Sequence, residues 1–168
     1  MNRLLGWIAF TGFFLALLVH IATTTGVDVY SRLPSVWLLH LGAILVFGLF
    51  ALFGRKVFRS CLQLDEMMYH LQVWVVLVFA VVFVYALLNV FLCLPFTGNG
   101  ATADLVDGQY VLRSHGRVLA QLKEPEYHVH RAYELRFFSG VWLVLYLMPS
   151  LYFFFWRDQR PIGRLDGR

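Results

Sequence analysis

Three histidines, His20, His40 and His70, lie within or at the ends of long apolar runs. An ionisable group is costly in hydrocarbon, so each is a candidate site residue. His20 precedes and His40 follows the Thr25–Ser35 connection by a few residues, which puts the two imidazoles at matched depth on neighbouring helices. Two histidines so placed are the axial donor set of a b-type haem, or can bind a metal through neutral imidazole. The opposing reading is structural, since either ring can reach water, a headgroup or a backbone carbonyl near its helix end. The expectation carried forward is a packed interior and no bound cofactor, with haem b held by His20 and His40 as the alternative. His70 stands at the far edge and cannot complete the same site.

A second candidate set is Glu126, His130 and Glu134, spaced four apart on one face of an expected helix. Carboxylate and imidazole are acceptable zinc ligands. Residues on consecutive turns also simply pair with one another, which competes with the metal reading. His128 falls off that stripe in a helix, but in a strand Glu126, His128 and His130 would share a face. Asn89, one turn from Tyr85, is expected to bond across to a neighbouring helix. Ser139 beside Gly140 reads as a close-packing pair, because no base and acid stand at a recognisable nucleophile spacing. No Walker loop, dinucleotide fingerprint, HExxH or CxxC is present, so nothing marks an enzyme. Nor do paired interrupted helices suggest a stand-alone transporter.

The elements that carry these residues are four apolar stretches, roughly Leu4–Thr24, Val36–Phe53, Leu71–Leu94 and Phe137–Trp156. Each is about long enough, at roughly 1.5 Å per residue, to cross a hydrocarbon core of roughly 30 Å. The chain has 168 residues, 60% hydrophobic and 14% charged. A soluble domain carries about 25% charged residues, so the sequence predicts an integral membrane protein, a single membrane domain over residues 1–168. The first stretch exceeds the h-region of a signal peptide and lacks a small-x-small cleavage site, which predicts an uncleaved helix.

Charge sets the expected orientation. The net charge is +4. Arg55, Lys56 and Arg59 crowd the second connection, and Arg157, Arg160, Arg164 and Arg168 fill the tail, whereas the first connection holds only Arg32. Both termini are therefore expected in the cytoplasm, with residues 96–136 outside. That segment carries five basic and five acidic residues and opposes nothing. Basic residues beside spans argue for membrane surfaces and against nucleic acid. Trp7, Trp37, Trp74, Trp142 and Trp156 fall near span ends, as an interfacial belt would require. Cys61 and Cys93 would lie on opposite sides, too far apart for a disulfide, which needs Cα atoms within roughly 7 Å.

The connections carry their own signals. Val27–Pro34 reads as a turn. Arg55–His70 lacks Gly and Pro and reads as a helical extension along the inner surface. Gly6, Gly12, Ala16, Gly42, Ala43 and Gly48 predict close approach of the first two helices. Asp107-Gly108 between two apolar runs is a two-residue hairpin signal, and Ser114-His115-Gly116 marks a second turn, so a small meander is expected. Such a ribbon must pack on something to persist. Lys123-Glu124-Pro125-Glu126 starts a helix that should run on into the fourth span, with a kink at Pro149.

Pro34-Ser35-Val36-Trp37-Leu38-Leu39-His40 resembles the start of a span in uncharacterised bacterial four-span inner-membrane proteins. Asp107-Gly108-Gln109-Tyr110-Val111-Leu112, followed by Ser114-His115-Gly116, is similar to segments of the same proteins. The resemblance implies a bacterial inner-membrane location and four spans. It implies no activity, and no functional residue is carried over. The expected fold is mainly α, four transmembrane helices with a small outer β-hairpin or meander and a helical extension of the fourth span. The expected role is a non-enzymatic structural or accessory component packing in the lipid bilayer against a membrane partner or itself.

Overall fold

A computed structural model describes residues 2–53, 72–97 and 100–156. The expected surface extension at 55–70, with His70 and Cys61, lies outside the described residues, as does the arginine tail. The molecule is mostly helical. Helix α1 is Asn2–Thr24, α2 is Leu38–Phe53, α3 is Val73–Cys93 and α4 is Glu124–Leu151. All four lie in segments long and apolar enough to cross a membrane.

Local chemistry explains where these helices stop. At the end of α1, the hydroxyls of Thr23, Thr24 and Thr25 donate to the carbonyls of His20, Ile21 and Ala22. These hydroxyl bonds add to the backbone bonds that the Ile21 and Ala22 carbonyls keep at 3.3 Å from Thr25 and Val27. Gly26 then takes φ +82°, Val27 N–H donates to the Ala22 carbonyl and Gly26 N–H to that of Thr23, which is a Schellman stop. The expected turn at Val27–Pro34 contains one helical turn, Val29–Arg32, because Asp28 accepts from the Ser31 amide at 3.1 Å and its hydroxyl at 2.6 Å. Pro34–Trp37 follows as a 3-10 turn leading into α2.

The meander is a three-stranded antiparallel sheet, β1 (Thr102–Val106), β2 (Gln109–Ser114) and β3 (Arg117–Gln121) in that order. Asp107 and Gly108 have φ of 50° and 77°, and His115 and Gly116 of 50° and 79°. Positive φ at both central residues is what a tight hairpin turn demands. Between β2 and β3 the register slips after Leu112, leaving Leu119 unmatched. Ala103 and Val111 face inward, and Tyr110 lies on Tyr127 with ring centroids 4.8 Å apart, so the sheet rests on the first turns of α4.

Helix α4 is continuous from Glu124, joining the expected extension to the fourth apolar stretch. The Glu126 carboxylate accepts from the Lys123 amide at 2.8 Å, and Pro125 occupies the first turn. Pro149 deprives the Leu145 carbonyl of its donor, and the chain then widens into a π turn at Tyr152–Trp156.

The other three helices gather on α4. Helix α1 is antiparallel to it, with Gly6 against Phe154, Gly12 against Tyr146 and His20 against Ser139. Helix α3 is antiparallel too, from Trp74 beside Phe155 to Asn89 beside Arg136. Helix α2 runs parallel, from His40 at Trp142 to Phe53 at Tyr152. The glycines expected to bring α1 and α2 together do something else. A Cβ at Gly12 or Gly42 would collide with Tyr146, whose ring wedges between the helices and donates its hydroxyl to the Leu39 carbonyl at 2.8 Å. Gly48 meets open space.

Candidate functional site

The polar groups of the apolar helices converge in the half of the bundle nearest the sheet. His20 on α1 is 2% exposed and Ser139 on α4 is 0% exposed. His20 Nδ1 lies 2.8 Å from Ser139 Oγ, and Nε2 lies 2.6 Å from the Tyr85 hydroxyl of α3. A hydroxyl has one proton, and that of Ser139 is donated to the Arg136 carbonyl at 3.1 Å. His20 Nδ1–H therefore donates to Ser139 Oγ, and Nε2 accepts from Tyr85. One imidazole thus ties three helices together.

One turn further toward the sheet, Asn89 is 1% exposed. Its amide nitrogen donates to the Arg136 carbonyl at 3.1 Å, and its oxygen accepts from Arg136 Nε at 3.0 Å. One side chain therefore grips both the backbone and the guanidinium of one residue. The bare Cα of Gly140 makes this possible, because a Cβ there would collide with the Asn89 amide. The Cys93 thiol approaches Asn89 Oδ1 at 3.8 Å. The expected cross-helix bond of Asn89 is present, and its partner is an arginine. Among the described residues no carboxylate pairs with Arg136, and its two terminal nitrogens have no hydrogen-bond partner.

His40 takes a different neighbour from His20. Its Nδ1 accepts from Trp142 Nε1 at 2.9 Å, and the rings of Trp37, Phe138 and Trp142 surround it. The two histidines stand three residues apart along α4, at Ser139 and Trp142, so they are nearly level along the bundle while their rings turn to separate partners. Trp142 corrects the interfacial reading of the tryptophans. It is fully buried, because its N–H finds an acceptor inside the bundle. Trp7 and Trp74 do face outward.

No protein-family model matches this chain, and no curated protein or solved structure does so. Its chemistry has to be read from its own side chains.

The stripe Glu126, His130 and Glu134 shares a helix but not a task. Glu126 caps α4, His130 Nδ1–H donates to the Phe96 carbonyl at 2.7 Å, and Glu134 meets Arg131 at 3.5 Å. Among the described residues no three His, Cys, Asp or Glu side chains gather as a metal set. Because this segment is helical, the strand-face grouping of Glu126, His128 and His130 does not form. His128 instead donates from Nδ1 to Asp28 at 2.8 Å, pinning the connection after α1 to α4. Burial pushes the Asp28 carboxyl up, but bonds from Ser31 and His128 outweigh it and hold it below its ordinary value.

Sequence reasoning passed over Asp28, Arg131 and Arg136. Asp28 had a signal, an Asp three residues before Ser31, which is a helix-cap spacing. Arg131 had none. Its guanidinium lies 3.9 Å from the centroid of Tyr30, donates to the Ala103 carbonyl at 3.3 Å and meets Glu134. It thereby joins the sheet, the turn after α1 and α4. Its buried Nε has no hydrogen-bond partner, and the Tyr30 ring face offsets part of that cost.

Proposed function

We propose that the chain is a multi-pass protein of the bacterial inner membrane, with both termini in the cytoplasm and residues 96–136 outside. Its work is that of a non-enzymatic accessory component packed against another membrane protein or a second copy. The observation that carries this reading is the distribution of polarity. Inside the bundle, His20, Tyr85, Ser139, Asn89, Arg136, His40 and Trp142 bond to one another across helices. Outside it, the helices present large apolar side chains, as a lipid-facing surface does. A polar network bonded across helices orders them and, apart from the outer end of Arg136, offers little to a substrate.

Helix α3 marks the partner face. Its packing is against α4, and Val81 and Phe91 are each 68% exposed. The stacked pair Phe79 and Phe83 adds a rigid aromatic surface. The basic residues of the second connection and tail support the orientation.

Single cysteines at Gly100 and Gly163, in a background without Cys61 and Cys93, test the topology with an impermeant reagent. Gly100→Cys should react from outside and Gly163→Cys should not, and the reverse overturns the orientation. A photo-crosslinker at Val81 or Phe91 should give a protein adduct of one discrete mass in cells, while the same group at Leu45 on α2 gives lipid. Lipid adducts at all three positions would refute the partner.

A further inference from the structure

Three ion pairs stand near the sheet among the described residues. Arg113 holds Asp104 at 2.8 Å, His128 holds Asp28 and Arg131 holds Glu134. Arg136 differs from these, and from exposed Arg117 and Lys123, in being half-buried without a carboxylate among the described residues. It is half-buried, its Nε is fixed by fully buried Asn89, and its two terminal nitrogens have no partner among the described residues. A guanidinium held in one orientation beside a bundle, with donors to spare and no counter-charge, is arranged for an anionic oxygen ligand.

We propose that Arg136 binds the phosphodiester of one membrane phospholipid, with Asn89 as the residue that positions the guanidinium. The inference rests on the membrane reading above, which supplies the ligand and the depth. Asn89, which lies against Arg136, stands four residues before the last residue of α3. At 1.5 Å per residue, Arg136 therefore sits about 6 Å from the sheet-side end of α3, where a lipid phosphate meets the hydrocarbon edge. The Tyr133 ring, whose centroid is 5.8 Å from the guanidinium carbon, stacks on Phe96 at 3.8 Å and forms an aromatic floor beside the site. Free inorganic phosphate is also an anionic oxygen ligand but lacks the acyl chains that anchor a lipid in the membrane.

The full chain, purified in mild detergent, is titrated with phosphatidylglycerol, and bound lipid is counted by native mass spectrometry. The wild type should hold one lipid. Arg136→Gln should hold it about tenfold more weakly, as expected for the loss of a charge-assisted pair. Asn89→Asp is the second variant, placing a carboxylate beside the guanidinium without removing the cation. It should weaken the lipid by a similar factor. Arg117→Gln, on the exposed strand β3, should bind as the wild type does. Unchanged binding in both Arg136→Gln and Asn89→Asp overturns the proposal. Equal loss in Arg117→Gln does so too, since that would be a diffuse charge effect. If inorganic phosphate displaces the lipid at equal concentration, the site is one for free phosphate and the lipid assignment fails. A carbonate wash of cell membranes separates the two readings. Release of the wild-type chain sinks the membrane reading and this one with it, whereas retention with unchanged lipid binding in the variants sinks only this one.

Discussion

Removing the Tyr85 hydroxyl is the cleanest perturbation of the His20 junction. Tyr85→Phe keeps the ring edge against the imidazole, at 5.4 Å between centroids and 88° between planes, so packing changes little. What disappears is the donor to His20 Nε2 at 2.6 Å. Interhelical hydrogen bonds in membrane proteins average about 0.6 kcal/mol and reach about 1.7 kcal/mol. The 2% exposure of His20 means that the abandoned nitrogen finds no ready substitute, which places the loss in the upper half of that range. Ser139→Ala removes the other partner of the same ring, at 2.8 Å, and should cost about as much. The two costs should not add. Once either partner is gone the ring is free to turn or change tautomer, so the double variant should fall short of the sum by more than about 0.5 kcal/mol. Unfolding of the purified chain in mixed detergent, titrated with a denaturing detergent, measures all four corners of this cycle. Additivity within about 0.3 kcal/mol would refute the idea that His20 couples α3 to α4 through one imidazole.

Other positions give further checks. Gly12→Ala drives a methyl into Tyr146 and should destabilise the chain by about 1–3 kcal/mol in the same titration, while Gly48→Ala, facing open space, should be neutral or slightly stabilising. Asp28→Asn should lower the melting temperature at neutral pH. Because the folded carboxyl titrates below its ordinary 3.8, the wild type's advantage is complete above that pH and fades as pH falls through the lowered value. A gap between the two proteins that persists unchanged into stronger acid would contradict the ion-pair assignment. Gly108→Val forces a β-branched residue to φ 77° and should open the hairpin, seen as faster proteolysis between β1 and β2 at unchanged helix content.

The helices, the meander and the start of α4 were legible because each rests on local pattern. An apolar run of about 20 residues, an Asp-Gly between apolar runs, and Pro125 between two glutamates all act within a few residues of themselves. The site was legible only in part. Asn89 and the histidines stood out as polar residues in apolar runs, but their partners did not. Ser139 read as packing because its role depends on His20, which is 119 residues away. Arg136 borders the apolar run as any topological anchor would, and only the fold shows Asn89 against it. Small residues misled in the other direction. Helices α1 and α2 do meet, but the space left by Gly12 and Gly42 is filled by the Tyr146 ring of α4, a third element.

These partners share one location. Ser139, Arg136, Gly140, Trp142 and Tyr146, which answer His20, Asn89, His40, Gly12 and Gly42, all lie on α4 within three turns. Helix α4 also holds the sheet through Tyr127 and Arg131, and the connection after α1 through His128. Order therefore passes through this element. Helices α1 and α2 support each other as well as α4, whereas α3 is held to α4 through Asn89, to the turn after α4 through Trp74 and to α1 through the bond between Tyr85 and His20. The bonds between Asn89 and Arg136 fix the sheet-side end of α3 against α4, so the proposed lipid contact at Arg136 and the proposed partner surface at Val81 and Phe91 lie on one helix pair.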